Sequence, residues 1–520
     1  MTQAAFITAL CNPTLYDNPA GGIELIETHI SWVILAGKYA YKIKKPVNFG
    51  FLDFSTLDQR RFYCDEELRL NRRLSPNIYL AVVPITGTPV APSWGGVGSA
   101  FEYAIKMRRF AQQARLDHML SQQQLSAQHI DQLAVVVADF HRNAPSVSLD
   151  SEHGTPVAIQ TAALDNCRHI RPLLNDADDL AQLTKLEDWT QRMGLQLAEN
   201  FAARRAAGFV RECHGDLHLQ NIAWLDNDPV LFDCIEFNPA FRWIDVMNDV
   251  AFLTMDLADR GRTDFARRLL NEYLQITGDF AGLSVLRFYQ AYRAMVRAKV
   301  ACLRMAQHAT ETSACAQDRA EYSNYVNLAV QYTQTLAPSL VLTAGFSGSG
   351  KTTVARQLCA MTDSILLRSD VERKRLYGYA ATARTGATID AGMYNAEATQ
   401  KTYQQLRQIA QIILAAGWSV VVDATYLRGD QRALFYQLAE QMSVPLHLLY
   451  CHAPPEVLRE RIQARQAESR DASEADLAVL EQQLGKREAF DAREQRFVVD
   501  VDTTAVVDVN SVLEKLSGRC

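Results

Sequence analysis

No C-x-x-C pair occurs in this chain, and its ten cysteines (at 11, 64, 167, 213, 234, 302, 315, 359, 451 and 520) stand far apart. That scatter fits neither a disulfide framework nor a cysteine zinc site, and it suits reduced thiols. No window approaches 18 uninterrupted apolar residues, so no membrane-spanning helix is expected. The opening MTQAAFITALCNPTLYDNP has neither a basic stretch nor a long apolar run, so no signal peptide is expected and the setting reads as cytoplasmic. Positive charge is not in excess: 53 Lys and Arg against 59 Asp and Glu leave a formal net charge of −6. Nucleic acid therefore finds no bulk attraction here, only the option of a local basic groove. Internal repeats and low-complexity tracts are also missing. What is present, 48% hydrophobic and 22% charged residues over 520 positions, is a globular composition too long for one core. Two or three domains are expected.

Periodicity organises the chain. The stretches ELIETHISWVIL and YAYKIKK, joined at Ala36-Gly37-Lys38, alternate apolar and polar residues and predict short strands. TLDQRRFYCDEELRLNRRL, from Thr56 to Leu74, has helical spacing and ends at Ser75-Pro76-Asn77. IYLAVVPI and FEYAIKMRRF read as further strands, and 111–209 as mostly helical. After the loop HGDLHLQN come the short strands IAWL and VLFD, then helices over 244–335. Around Leu336-Ala337-Pro338 the period changes, and strand alternates with helix to the end, as parallel βαβ units require. The expected domains are therefore 1–335 and 336–520, the second an α/β fold with a parallel sheet.

The second domain opens on SLVLTAGF running into Gly345-Phe346-Ser347-Gly348-Ser349-Gly350-Lys351-Thr352-Thr353, which fits G-x-x-x-x-G-K-[ST] with a strand before and a helix after. Such a loop turns the backbone N–H groups of Gly345, Ser347, Gly348, Ser349, Gly350 and Thr353 toward phosphate at a helix N-terminus. Lys351 would neutralise β/γ oxygens, and the Thr352 hydroxyl would bind magnesium. The next strand, SILLRS, ends at Asp370, where ligands of open α/β sheets sit. Asp370 could take the proton of an attacking hydroxyl or cap the helix VERKRLYG, and the strand-end position favours the first. Arg373, one turn on, could hold an anionic acceptor. WSVVVDAT ends in Asp423, suited to magnesium, and no Glu follows it, which argues against hydrolysis as the main output. N-K-x-D, the guanine-reading motif, is absent as well. Arg461 and Arg465 lie at i, i+4 in EVLRERIQARQ, either as a lid over phosphates or as a solvated basic face.

The first domain holds H-x-D-x-x-x-x-N, with His214, Asp216 and Asn221. A kinase catalytic loop places an Asp to accept the hydroxyl proton and, five residues on, an Asn for magnesium. Asp233 in LFDCIEFN has the position of the second metal ligand. Upstream, Lys42 could reach the α/β phosphates, with Glu67 on the following helix to hold it. His214 is read as bracing the loop through a backbone carbonyl, and His218 as orienting or underpinning Asp216. His29 and His141 are read as structural.

Residues 25–330 resemble the aminoglycoside phosphotransferase and choline kinase branch of the protein-kinase-like fold, a bilobal α+β architecture. The resemblance rests on HGDLHLQN, Asp233, Lys42 and Glu67, and departs from it in having no G-x-G-x-x-G before Lys42. It implies a hinge at AIKMRRF, with backbone near Met107 taking the adenine, and bracing roles for Asp245 and Asp249. Residues 340–505 resemble the P-loop kinases that include polynucleotide, zeta-toxin-type and gluconate-type kinases, on the Walker A loop, Asp370 with Arg373, and the arginine helix. The two resemblances imply a bifunctional phosphotransferase using ATP and Mg2+ on a hydroxyl acceptor, a small molecule or a nucleic-acid 5′-OH. Alternatives are a nucleotide-operated regulatory protein with an inactive first domain, and a nucleic-acid end kinase with that domain as recruiter. GYAATARTGATIDAGMYNAEATQKTY is the segment expected to carry acceptor specificity.

Overall fold

The computed structural model describes residues 3–16, 22–50, 52–307, 312–380, 383, 395–468 and 476–517. Compactness divides the chain into two units: Met1–Ala162 with Phe201–Asp256, and Ala163–Asn200 with Leu257–Cys520.

The first unit carries an antiparallel sheet of β1 (Ile23–Glu27), β2 (Ser31–Ala36), β3 (Tyr39–Lys44), β4 (Tyr79–Thr88), β5 (Ala91–Trp94) and β6 (Glu102–Arg108). Among the described residues its order is β1-β2-β3-β6-β4-β5. Side chains alternate across a strand, and β3 uses this. Tyr41 and Ile43 pack with Trp32, Ile34, Ile85 and Ala104 on one face, which leaves Lys42 and Lys44 together on the other. Facing that side is the helix Leu57–Arg72, started by a capping box between Thr56 and Gln59. Its buried residues Arg60, Cys64, Glu67, Leu70 and Asn71 form one stripe at helical spacing. Beyond the sheet the unit has the pair β7 (Val210–Glu212) and β10 (Trp243–Asp245), and the hairpin β8 (Ile222–Leu225) and β9 (Asp228–Leu231). The strands β5, β7 and β10 run only three or four residues and show too little alternation to be read from sequence.

The second unit holds a fully parallel sheet of β11 (Leu340–Ala344), β12 (Ser364–Arg368), β13 (Ser419–Asp423), β14 (Leu446–His452) and β15 (Val498–Asp502). Its order is β12-β13-β11-β14-β15, so β11 is central and β12 is an edge. Val341, Leu366, Val421, Leu449 and Val499 are buried against Val354, Leu358 and Val512 from flanking helices. Strands covered on both faces read as continuous apolar runs, which is why SLVLTA and WSVVVD stand out in the sequence. The helices Thr263–Thr277, Leu283–Gln307 and Thr312–Tyr332 are grouped with this sheet, although the sequence period changes only near 336. The cause is that helix Thr263–Thr277 packs on β12 and hydrogen-bonds to it.

Candidate active sites

In the first unit, Lys42 Nζ lies 2.8 Å from Glu67 Oε1 and 2.6 Å from Asp233 Oδ1. Two residues without a sequence signature complete this cluster. Lys44 Nζ bonds the other oxygen of Glu67 at 2.6 Å and also pairs with Glu236. Lys44 and Glu67 are 0% exposed and Glu236 4%. Burial opposes charge on Lys42, but Asp233, Glu67 and Glu236 outweigh it and hold the ammonium well above its ordinary pKa. Burial likewise opposes the Glu67 carboxylate, and Lys42 and Lys44 prevail and hold it well below the usual range. Glu236 shares one lysine with Glu67, and there burial wins and its pKa rises. The period-two spacing of Lys42 and Lys44 is visible in sequence; their partners lie 191 and 192 residues downstream and give no local signal.

The neighbouring loop is held by Asn221 within it and by carboxylates of the later helix Val246–Asp259. Asn221 Nδ2 donates to Asp216 Oδ2 and to the Asp216 carbonyl, both at 2.9 Å. His218 Nε2 stands 3.2 Å from Asp216 Oδ2, its ring edge-on to Phe252 at 5.3 Å. Asp249 accepts the backbone N–H groups of His214 at 2.8 Å and Gly215 at 3.0 Å. Asp256 accepts that of Leu219 at 2.9 Å, and Asp245 takes both Arg204 nitrogens at 2.7 and 2.9 Å. His214 Nε2 meets the Phe232 carbonyl at 2.9 Å, and burial lowers its pKa, so the imidazole is neutral. Gly215 is required: at φ +86° its backbone is left-handed, and a Cβ would stand 2.6 Å from the Phe241 carbonyl. Asp233 also has a positive φ, 65°, a conformation that persists only where surroundings enforce it. The Tyr79 hydroxyl accepting its N–H at 3.1 Å and the Lys42 contact do so. Met107 sits in β6 opposite Ala40 and Tyr79, packed against a cluster of Cys64, Ile78, Tyr79 and Ile105.

In the second unit, β11 runs into the glycine loop and the helix Lys351–Met361. Gly345 has φ +141°, and a Cβ there would lie 2.1 Å from the Cys451 carbonyl. Thr352 Oγ1 donates to Asp423 Oδ2 at 2.7 Å, and Thr343 Oγ1 to Asp423 Oδ1 at 3.0 Å. Thr352 and Asp423, both oxygen donors, are thus adjacent, as a hard divalent cation needs. Lys351 Nζ donates to the Phe346 carbonyl at 2.7 Å, and the Ser347 N–H to Gln483 Oε1 at 2.8 Å. Arg461 reaches the Gly348 carbonyl at 3.4 Å and the Thr503 carbonyl at 2.5 Å, so it braces the loop wall. Thr503 in turn donates to the Ser349 carbonyl at 2.9 Å. The Arg465 side chain and half of the expected specificity segment lie outside the described residues. Asp370 lies inside the first turn of helix Ser369–Leu376, whose N-cap is Arg368, so it is not the cap. Arg373 is buried and donates to Thr399 Oγ1 at 3.3 Å. Tyr403 stands 3.4 Å from Thr425 Oγ1, its phenol pKa raised by burial, with the Asp370 charge adding to it.

The model of the Phosphotransferase enzyme family matches residues 66–289, and that of an AAA domain family matches residues 340–490. Similar solved structures include a choline/ethanolamine kinase family protein from Mesorhizobium loti, 12% identical, with a TM-score of 0.36 over 63% of this chain and 98% of that one. A gluconokinase from Sinorhizobium meliloti 1021 is 20% identical, with a TM-score of 0.24 over 35% and 92%. The chain is an ATP-dependent kinase in which a phosphotransferase-type domain precedes a P-loop kinase-type domain. It belongs to the family of the uncharacterized protein Rv2004c of Mycobacterium tuberculosis, to which it is 31% identical over 458 residues, 88% of this chain and 89% of that protein. The uncharacterized protein Mb2027c of Mycobacterium bovis matches to the same extent. Among the described residues no helix is long and apolar enough to cross a membrane.

Proposed function

We propose that this protein, in the cytoplasm, transfers the γ-phosphate of ATP to a hydroxyl acceptor at two separate centres, one in residues 1–335 and one in 336–520. The observation that carries the reading is the cluster in which Lys42 touches both Glu67 and Asp233 while Asn221 holds Asp216. In the first centre Lys42, kept charged by its carboxylates, would bind α/β phosphate oxygens, with backbone near Met107 taking the adenine. Asp233 and Asn221 would hold magnesium, and Asp216, oriented by Asn221 and His218, would take the acceptor's proton. In the second centre the loop amides and Lys351 would hold β/γ phosphate, with Thr352 and Asp423 on magnesium. Asp370 would take the hydroxyl proton and Arg373 would fix the acceptor. Mg2+, when bound, neutralises charge on the phosphate oxygens; alignment and proton removal fall to the side chains.

The test gives the purified protein, Asp216→Ala and Asp370→Ala γ-labelled ATP and magnesium with a panel of acceptors. The panel holds a 5′-hydroxyl oligonucleotide, nucleoside-diphosphate sugars, simple sugars, choline and aminoglycosides. Label on one acceptor that only Asp370→Ala abolishes assigns it to the P-loop half, and loss only in Asp216→Ala assigns it to the first. Nucleotide binding with no acceptor labelled by any form refutes the reading in favour of a nucleotide-operated regulatory protein.

A further inference from the structure

The edge strand of the C-terminal sheet is closed by side chains rather than by another strand. Among the described residues strand β12 pairs with β13 on one side only, which turns the N–H and C=O of Leu366 outward, in need of partners. Helix Thr263–Thr277 supplies them. Asn271 Oδ1 accepts from Leu366 N at 2.6 Å, and Asn271 Nδ2 donates to the Ser364 carbonyl at 3.3 Å. Gln275, one turn further along the same face, donates from Nε2 to the Leu366 carbonyl. Two amides at i, i+4 thus match the outward groups of one strand. Both are buried, at 6% and 4% exposure.

The same helix also grips the segments that flank β12. Its Gln275 carbonyl accepts from Arg375, two residues beyond Arg373. Glu272 pairs with Arg356 on the helix after the glycine loop at 3.3 Å. Arg267 bonds Asp363 at 2.7 Å and the Ala360 carbonyl at 3.3 Å, just before β12. Helix Ser369–Leu376 begins directly after β12, so a shift of the strand carries Asp370 and Arg373 with it. An error of about 1 Å in placing a catalytic group can cost on the order of 100-fold in rate.

We propose that helix Thr263–Thr277, within the span matched by the phosphotransferase family model, is a positioning element of the C-terminal kinase centre. Asn271 and Gln275 act as positioning residues that set where β12 delivers Asp370 and Arg373. The inference rests on the roles proposed above for that Asp and Arg, and it makes the helix a part of the second centre's acceptor side.

The test uses the full-length protein carrying Gln275→Met or Asn271→Asp. Amide hydrogen exchange is read over 364–376, and ATP-dependent labelling is read with whichever acceptor the panel assigns to Asp370. Gln275→Met should speed exchange over 364–376 about tenfold or more, leave β11, β13 and β14 protected, and lower kcat about tenfold with KM for ATP within about twofold. Asn271→Asp keeps the acceptor for Leu366 N but sets a carboxylate oxygen against the Ser364 and Arg267 carbonyls, so it too should speed exchange over 364–376 and lower kcat. Exchange and kcat both within about twofold of the unsubstituted protein overturn the proposal. So does faster exchange across the whole sheet with ATP binding lost in parallel, which would make the helix general scaffolding. Should the unsubstituted protein label no acceptor, the reading of the function fails, and the exchange pattern alone decides whether these amides set β12.

Discussion

Replacing Lys44 with Met isolates the electrostatics of the buried cluster. Lys44 is fully enclosed and bonds Glu67 and Glu236; Met keeps the apolar stem and removes the charge. Glu67 retains Lys42, but Glu236 loses the contact that opposes its burial and becomes a buried carboxylate whose cheapest state is protonated. That bounds the cost. Protonating a group with an ordinary pKa of about 4.3 costs about 1.4 kcal/mol per pH unit, hence about 3.7 kcal/mol at pH 7 and about 1.6 kcal/mol at pH 5.5. The sign comes from linkage. A carboxyl whose folded pKa is raised binds more protons folded than unfolded, so stability falls as pH rises above the unfolded value. Lys44→Met should therefore lose up to about 3.7 kcal/mol at pH 7 and recover most of it by pH 5.5. Lys44→Met with Glu236→Gln should stay within about 1.5 kcal/mol of the original at both, because replacing both partners leaves no unpaired buried charge, Glu67 keeping Lys42. Native-state hydrogen exchange of peptides covering β3 and helix Leu57–Arg72 reads the opening free energy of this region directly. A pH-independent loss, or a double variant as unstable as the single one, would refute the reasoning.

The same geometry makes four further outcomes testable. Gly345→Ala should lower the melting temperature and reduce the upward shift that Mg-ATP gives to what the first centre alone supplies, because the new Cβ meets a carbonyl 2.1 Å away; thermal unfolding with and without nucleotide checks this. Thr352→Val should weaken Mg-dependent ATP binding at the P-loop site about tenfold or more while Thr352→Ser stays near the original, read by calorimetry fitted to two sites so that the first centre's binding, which should not change, serves as the internal reference. Asp249→Asn should cost about 2–4 kcal/mol, since it removes the charge that accepts the His214 and Gly215 N–H groups inside the core; urea unfolding measures it. Glu212, gripped by Arg69, Arg73 and Arg242, has its pKa lowered: burial opposes the charge and the arginines outweigh it. Its stabilisation is present at neutral pH and lost as pH falls below about 4–5, so acid unfolding of Glu212→Gln should show a shallower loss over that range than the original.

What the sequence disclosed depended on how local each signal is. The glycine loop is continuous, and its strand and helix adjoin it, so SLVLTAGFSGSGKTT carries its own context. The first centre was legible because kinase chemistry fixes spacings inside short segments, Asp216 to Asn221 above all. Glu236 escaped because nothing in CIEFN marks a buried partner for a lysine on β3; only folding brings them together. Asn271 and Gln275 escaped for a further reason. Polar residues on an amphipathic helix are ordinarily read as its solvent face, whereas here the face that carries two amides is the one turned to the sheet, because an edge strand needs hydrogen bonds where a covered face needs only apolar contact. The period change near 336 therefore records where alternation of strand and helix begins, while the grouping of helix Thr263–Thr277 with the sheet stems from its hydrogen bonds to β12. A shift of period marks the start of a sheet's own strands and carries no information about which preceding helix closes its edge.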